Sequence, residues 1–350
     1  MTEDNFAKNV VLDFRNGKVS INTDIPFFGM DLVKKDLKEH YTNGLSKYIQ
    51  KISVEVVDDI SECEKIWKYF SSNKSLFDNW DFRMQFFKGY SVKPYFLVIK
   101  RGSSILACLP LMYQENIKKF TWFGSDWMEN NVFFAVNTSY IPLLLYFAPK
   151  PVTLQGLNKE TINSVPEFIT FKKDDPDYYL NLEELGNMDN FLKSLMKKRR
   201  YNLKRDYKKI SSLNPIFVKG KKYEKEFFSL IAKRMHSIGE KVYFEVDPGN
   251  KKAFENIFNY KGKEFLVDFW TVFIGKEIAV SDIIAIHNNT IYPLLGANNV
   301  AKYSGVGNFI NYYEIEKSFI EGFKKIDYLQ YDYGWKNKYL KEEPRYLIDL

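Results

Sequence analysis

The sequence predicts an α/β fold made of two tandem units, each a mixed, mostly antiparallel sheet flanked by helices. Three observations carry this. A strand, helix, helix, three-strand order runs from Ile52 to Gly124 and recurs from Pro215 to Gly296. The turns of the two meanders match in spacing, with 22 residues from Gly102 to Gly124 and 21 from Gly275 to Gly296. The second copy alone continues into a glycine turn, Ser304-Gly305-Val306-Gly307, that opens a helical pattern and leads to another strand.

The 350 residues fit two domains, and 45% hydrophobic with 27% charged residues is a globular composition. The expected division is a lead-in over 1–50, a first domain over 51–180 and a second over 181–350. In the lead-in, Pro26–Gly29 reads as a loop and Asp31–Tyr41 as a short charged helix. Aromatics make up 17% of the chain and supply ample core. The net charge of +7 suits an anionic small ligand as well as a nucleic acid. Cys63 and Cys108 lack metal or redox spacing and are expected as buried free thiols. His40, His236 and His287 are isolated, so no metal site is expected. The N-terminal stretch lacks a positive start and an apolar run, and the longest apolar run, Tyr140–Ala148, is too short for a bilayer. The expectation is a cytoplasmic, soluble protein without a membrane span.

In the first copy, Ile52–Val57 alternates as a strand. Ser61–Phe70 reads as a helix with Ser61 as N-cap and Glu64 three residues on. Leu76–Lys88 is an aromatic-rich helix stopped by Gly89. Strands follow at Tyr95–Lys100, Ile105–Tyr113 and Phe120–Gly124, then Val152–Leu157. In the second copy, Pro215–Lys219 is a strand, and Tyr223–Gly239 and Asn250–Tyr260 are helices. Strands Phe269–Ile274, Ile278–Ile286 and Ile291–Gly296 complete the meander. Phe309, Tyr313, Glu316, Ile320 and Phe323 carry helical period after the glycine turn, Gly322 stops the helix, and Ile326–Tyr331 is the next strand. Free backbone N–H groups at such a helix start can hold phosphate; an ordinary tight turn has the same sequence signature.

Between the copies lies a basic helix, Phe191–Ile210, with an apolar stripe of Leu192, Met196, Leu203, Tyr207 and Ile210. Its cations form either a solvated face or an anion site at Arg199, Arg200, Tyr201, Lys204 and Arg205, where arginine forks match phosphate oxygens.

The element order and three stretches resemble the GNAT acyltransferase fold, in the tandem form of the Fem-type peptidyl and aminoacyl transferases and the cellulose-biosynthesis-type acetyltransferases. The stretches are Trp67–Leu111, the basic linker, and a tail with Gly305, Gly307, Glu316, Gly322, Asp327, Asp332, Trp335 and Lys336. The tail keeps the family's spacing of Asp, Asp and Lys, with Tyr328-Leu329 and Trp335 departing from its usual residues. The resemblance implies an N-acyltransferase that uses acyl-CoA and acylates an amine of a sugar, nucleotide-sugar or envelope precursor, with a degenerate donor site in the first domain. It equally admits aminoacyl-tRNA as donor. A non-catalytic module binding an anionic polymer or nucleic acid through residues 193–209 is the reading from a different class. The implied chemistry needs a base for the amine, a polarised carbonyl and a proton for the leaving group. Asp282, on an apolar strand face where desolvation raises its pKa, is the candidate base. Asp332 is the second carboxylate, Lys336 a charge-stabilising group, and Tyr313 (or Tyr312) the proton donor. Ser304, Gly305, Val306, Gly307 and Asn308 are the implied donor-phosphate contacts.

Overall fold

The structure, a computed structural model, describes residues 8–13, 20–22, 50–166 and 169–350, with the first two stretches and residues 50–51 described as backbone alone. The loop and short helix expected at Pro26–Gly29 and Asp31–Tyr41 lie outside the described residues. Two compact units form. Of the described residues, one unit contains those up to Asn73, those over 91–174 and Arg345–Leu350; the other contains Lys74–Tyr90 and Asp175–Pro344. The segment 74–90, expected in the first domain, thus packs in the second unit, and the last six residues pack in the first.

In the first unit, strands β1 (Lys8–Asp13), β2 (Ser20–Asn22), β3 (Gln50–Val57), β4 (Pro94–Arg101), β5 (Ser104–Gln114) and β6 (Lys119–Trp122) form an antiparallel sheet in the order β2-β1-β3-β4-β5-β6. The lead-in therefore supplies strands. β7 (Phe134–Ala135) pairs with β5, and β8 (Thr153–Leu157) follows α3 (Ile141–Phe147). Helix α1 (Ile60–Phe70) sets Trp67 against Phe96, Phe123 and Phe134. Its N-cap is Asp59 rather than Ser61: the Asp59 carboxylate accepts the N–H groups of Ser61 and Glu62, each at 3.0 Å. A carboxylate satisfies two orphan donors there and also meets the positive end of the helix dipole. Cys63 and Cys108 are buried free thiols, and burial pushes Cys63 up to about 12.

In the second unit, α2 (Trp80–Phe87) precedes β9 (Lys172–Asn181), α4 (Met188–Ser194), α5 (Lys197–Ser211) and β10 (Ile216–Lys219). Then come α6 (Glu224–Ser237), α7 (Pro248–Phe258), β11 (Leu266–Ile274), β12 (Glu277–His287), β13 (Thr290–Asn298), α8 (Val306–Ile320), β14 (Lys325–Asp327), α9 (Lys336–Tyr339) and β15 (Lys341–Asp349). The strand order is β10-β11-β12-β13-β14-β9, antiparallel except between β13 and β14. One sheet face carries Phe269 against Phe227 and Phe258, with Phe254 of α7 on Phe86 of α2. The other face buries Trp270, Val272, Val280 and Ile284 beneath Phe309, Ile310 and Ile315 of α8 and Leu203 and Ile210 of α5. Period-2 strands and period-3.6 helices each place their apolar residues toward the two interfaces.

Three expected elements are divided. Leu76–Lys88 breaks because Ser75 and Asp78 close a capping box over a single turn and Asn79 then caps α2 through the Phe82 N–H. The basic helix breaks at Leu195–Met196, which are extended, where Ser194 turns its hydroxyl back onto the Phe191 carbonyl at 2.7 Å. The strand expected over Ile326–Tyr331 stops at Asp327, because Leu329 and Tyr331 adopt left-handed backbone, with φ of 66° and 54°.

Candidate functional site

Asp282 lies in the middle of β12, directly opposite Trp270 on β11 and Gly296 on β13. β14 pairs with β13 only at Thr290 and Ile291, so β13 leaves its neighbour beyond that point. Gly296, on the diverging stretch, is exposed. A Cβ placed there would stand 2.0 Å from Asp282 Oδ1. The missing side chain leaves the room that the buried Asp282 carboxylate occupies.

From above, α8 contributes Glu314, and the chain just after β14 contributes Tyr328. Asp282, Glu314 and Tyr328 are 8%, 5% and 4% exposed, so all three sit more than nine-tenths inside. Among the described residues Asp282 Oδ2, Glu314 Oε1 and the Tyr328 hydroxyl have no hydrogen-bond partner, and neither does Trp270 Nε1. Unpartnered buried polar atoms are costly. Burial pushes the Asp282 carboxyl up from 3.8 to about 8. Burial, then repulsion from Asp282, pushes Glu314 well above its ordinary value, with Lys317 opposing. Burial, then both carboxylates, also raises the Tyr328 phenol. Two carboxylates in a dry site cannot both ionise near neutrality, so the pair keeps a proton.

This arrangement costs stability in a definite pH window. The folded state holds a proton on Asp282 that the unfolded chain releases between about pH 4 and pH 8, so stability falls as pH rises through that window. Each tenfold difference in proton affinity between the folded and unfolded states is worth about 1.4 kcal/mol. Asp282→Asn is accordingly expected to remove this pH-dependent loss, worth several kcal/mol at pH 8, and to flatten the slope, as read by urea unfolding at a series of pH values.

At the glycine turn, Gly305 takes φ of 95°. Val306 N–H donates to the Tyr303 carbonyl at 3.0 Å and is already used, whereas the N–H groups of Gly307 and Asn308 find no acceptor among the described residues. Ser304 accepts Lys209 Nζ through its carbonyl at 3.1 Å. Asn308 Nδ2 donates to Asp206 Oδ2 at 2.7 Å, and Asp206 also takes Arg205 through Nε and Nη2. The start of α8 is thus faced by a carboxylate of α5. Gly305→Ala would meet both a left-handed φ and Asp206 Cγ at 2.9 Å; a loss of about 1–3 kcal/mol in denaturant unfolding is expected.

Among the basic residues, Arg199 Nη1 donates to the Lys338 carbonyl at 2.8 Å and Arg200 Nη1 reaches the Leu192 carbonyl at 3.5 Å. Arg205 is exposed and forks onto Asp206. Lys204 and Tyr201 are exposed. A cavity of about 380 Å³ lies where α5, the α8 start and α9 meet, lined by Lys198, Arg199, Asn202, Asn308, Trp335 and Tyr339 among others. Its cations and amides suit a phosphate group.

The tail residues Asp327, Asp332 and Lys336 are held by partners within the tail and on β14. Asp332 is partly desolvated, which raises its pKa, but backbone N–H groups of Lys336, Trp335, Asn337 and Gly334 outweigh this and hold it below the carboxylate range. Asp327 accepts Leu329 N–H at 3.1 Å and Lys325 Nζ at 2.8 Å. Lys336 is buried and donates to the carbonyls of Tyr328, Leu329 and Gln330. Tyr313 stacks on Phe217 at 4.1 Å and meets the edge of Trp270, as a core aromatic does. Glu314, Tyr328 and Gly296 were not among the expected site residues. Their only sequence signals were a carboxylate beside apolar Ile315 on α8 and a glycine opposite Asp282 in the meander.

Among the described residues no group of three or more His, Cys, Asp or Glu side chains could hold a metal ion, and no helix is long and apolar enough to cross a membrane. No family model matches the chain, and no curated protein matches it. Solved structures do. A conserved protein of unknown function from Bacteroides thetaiotaomicron aligns over 84% of this chain and 99% of its own at 12% identity and a TM-score of 0.52. FemX aligns over 85% and 97% at 10% identity and 0.52. L-PGS from Bacillus licheniformis aligns over 83% and 92% at 11% identity and 0.51. At such identities the likeness establishes the fold, and the fold class expected from the sequence, tandem GNAT-like α/β units, is the one observed.

Proposed function

We propose that the protein is an N-acyltransferase that moves an acyl group from a thioester donor, acyl-CoA, to an amine acceptor. The amine nitrogen attacks the thioester carbonyl, the C–S bond breaks, Asp282 in its ionised form, which gains population as pH rises toward about 8, takes the amine proton, and Tyr328 gives a proton to the departing thiolate. The observation that carries this reading is the set of buried polar atoms without a partner among the described residues, Asp282 Oδ2, Glu314 Oε1 and the Tyr328 hydroxyl. A base with a pKa near the working pH is well matched to an ammonium acceptor. Tyr328 takes the acid role expected of Tyr313, because its hydroxyl lies in the field of the pair. The acetyl group is the simplest acyl group for this site, and amino sugars, nucleotide-sugars and envelope precursors are the proposed acceptors, in the cytoplasm where acyl-CoA is made. The free N–H groups of Gly307 and Asn308, beside the 380 Å³ cavity, are the proposed donor-phosphate contacts.

The test is calorimetry with acetyl-CoA, followed by thiol release over a panel of amines. A Cβ at Gly307 would meet only Asn298 Nδ2, at an ordinary 3.5 Å, so Gly307→Val should fold and lose donor binding. Unchanged binding places the donor elsewhere.

A second reading has aminoacyl-tRNA as donor. Lys197, Lys198, Arg199 and Arg200 fill the first turn of α5, which has no side-chain cap. Cations there oppose the helix dipole, an arrangement better matched to a polyanion than to stability. Binding of tRNA that weakens steeply with salt, with no acetyl-CoA binding, favours this donor; salt-sensitive binding of any polyanion with no acyl transfer favours the polymer-binding module.

A further inference from the structure

Lys336 is only 8% exposed. Its Nζ collects three successive carbonyls, those of Tyr328, Leu329 (3.1 Å) and Gln330. Three carbonyls pointing at one atom require an unusual backbone. The chain supplies it through left-handed Leu329 and Tyr331, neither of them glycine, a conformation that persists only where the surroundings enforce it. Tyr328 is the first residue of this curl. Its N–H donates to the Tyr178 carbonyl of β9 at 2.7 Å, and its ring meets Trp335, the neighbour of Lys336, edge-on at 5.4 Å.

We propose that Lys336 is a positioning residue: by gathering the carbonyls of residues 328–330 it enforces the left-handed curl and thereby sets the Tyr328 hydroxyl at the Asp282–Glu314 pair. This rests on the acyl-transfer reading for its catalytic meaning, but the placement itself is testable without turnover. Lys336 thus acts on the reaction through backbone dipoles and Tyr328.

The experiment uses the full chain labelled with 13Cζ-tyrosine, followed by NMR from pH 5 to pH 9. The groups facing the Tyr328 hydroxyl are Asp282 of β12 and Glu314 of α8, with Lys317 acting on Glu314; Trp335 packs on its ring. In the parent protein, the Tyr328 resonance, assigned by its loss in Tyr328→Phe, should follow the titration of the pair. In Lys336→Met, which keeps length and loses the donors, that pH response should disappear. If Lys336→Met fails to fold, the same substitution in a Tyr331→Gly background relaxes one left-handed residue at an exposed position and is read the same way. A Tyr328 response that persists in folded Lys336→Met overturns the proposal. With an acceptor in hand, Lys336→Met and Tyr328→Phe should each lower kcat by about 10- to 100-fold, with KM little changed. The double variant should be no worse than the worse single one. Multiplying losses would mean that Lys336 acts independently of Tyr328, and would overturn it as well. Because the NMR arm needs no reaction, loss of the acyl-transfer reading and loss of the positioning role give different results.

Discussion

Asp282→Asn is expected to lower kcat for acyl transfer by about two to four orders of magnitude, the range for removing a general base. The fold should survive, since the amide is isosteric and the carboxyl is held protonated up to about pH 8. Donor binding should also survive, because the glycine turn and the cavity beside α5 do not include Asp282. Loss of kcat with unchanged acetyl-CoA affinity in calorimetry is therefore the signature. An Asp282→Asn protein that turns over normally would remove the carboxylate from the chemistry.

Gly296→Val should have an effect of similar size for a different reason. Its Cβ alone would fall 2.0 Å from Asp282 Oδ1. The carboxylate must swing away or the strand must shift, and either change displaces the base that the proposed mechanism uses. We expect a loss of about 100-fold or more in kcat/KM, with some loss of stability from overpacking, on the order of 1–3 kcal/mol. Steady-state kinetics and denaturant unfolding of the same preparation separate the two effects. A Gly296→Val enzyme with normal kcat/KM would show that the reaction does not depend on the placement of this base.

The meanders, most of the helices and the start of the strand after α8 were legible because each is written in short-range periodicity and glycine stops. Asp282 was legible for the same reason: a lone carboxylate in Ile278–Ile286 breaks an apolar strand. Glu314 was hidden, because a helix tolerates carboxylates on its outer face, and only the packing of α8 onto the sheet turns this one inward. Tyr328 was hidden because an apolar run after Ile326 reads as continuing strand. The left-handed residues Leu329 and Tyr331 that end it lie around carbonyls gathered by Lys336, eight positions beyond Tyr328, a contact that local propensity does not encode. Lys336 itself was visible by its spacing from Asp332, but spacing could not distinguish a group facing substrate from one facing carbonyls. The basic linker told its composition and not its partners: Arg199 and Arg205 are engaged by the Lys338 carbonyl and by Asp206 within the chain.

Asp282 and Glu314 form a buried pair that holds a proton. The measurement that tests this most directly is a carboxyl 13C NMR titration of the full-length protein, with the two resonances assigned through Asp282→Asn and Glu314→Gln. Asp282 should titrate near 8 and Glu314 well above 4.5, and Asp282 should remain raised in Glu314→Gln because burial is its main cause. Both carboxyls titrating in the ordinary range near 4, each indifferent to removal of the other, would contradict it.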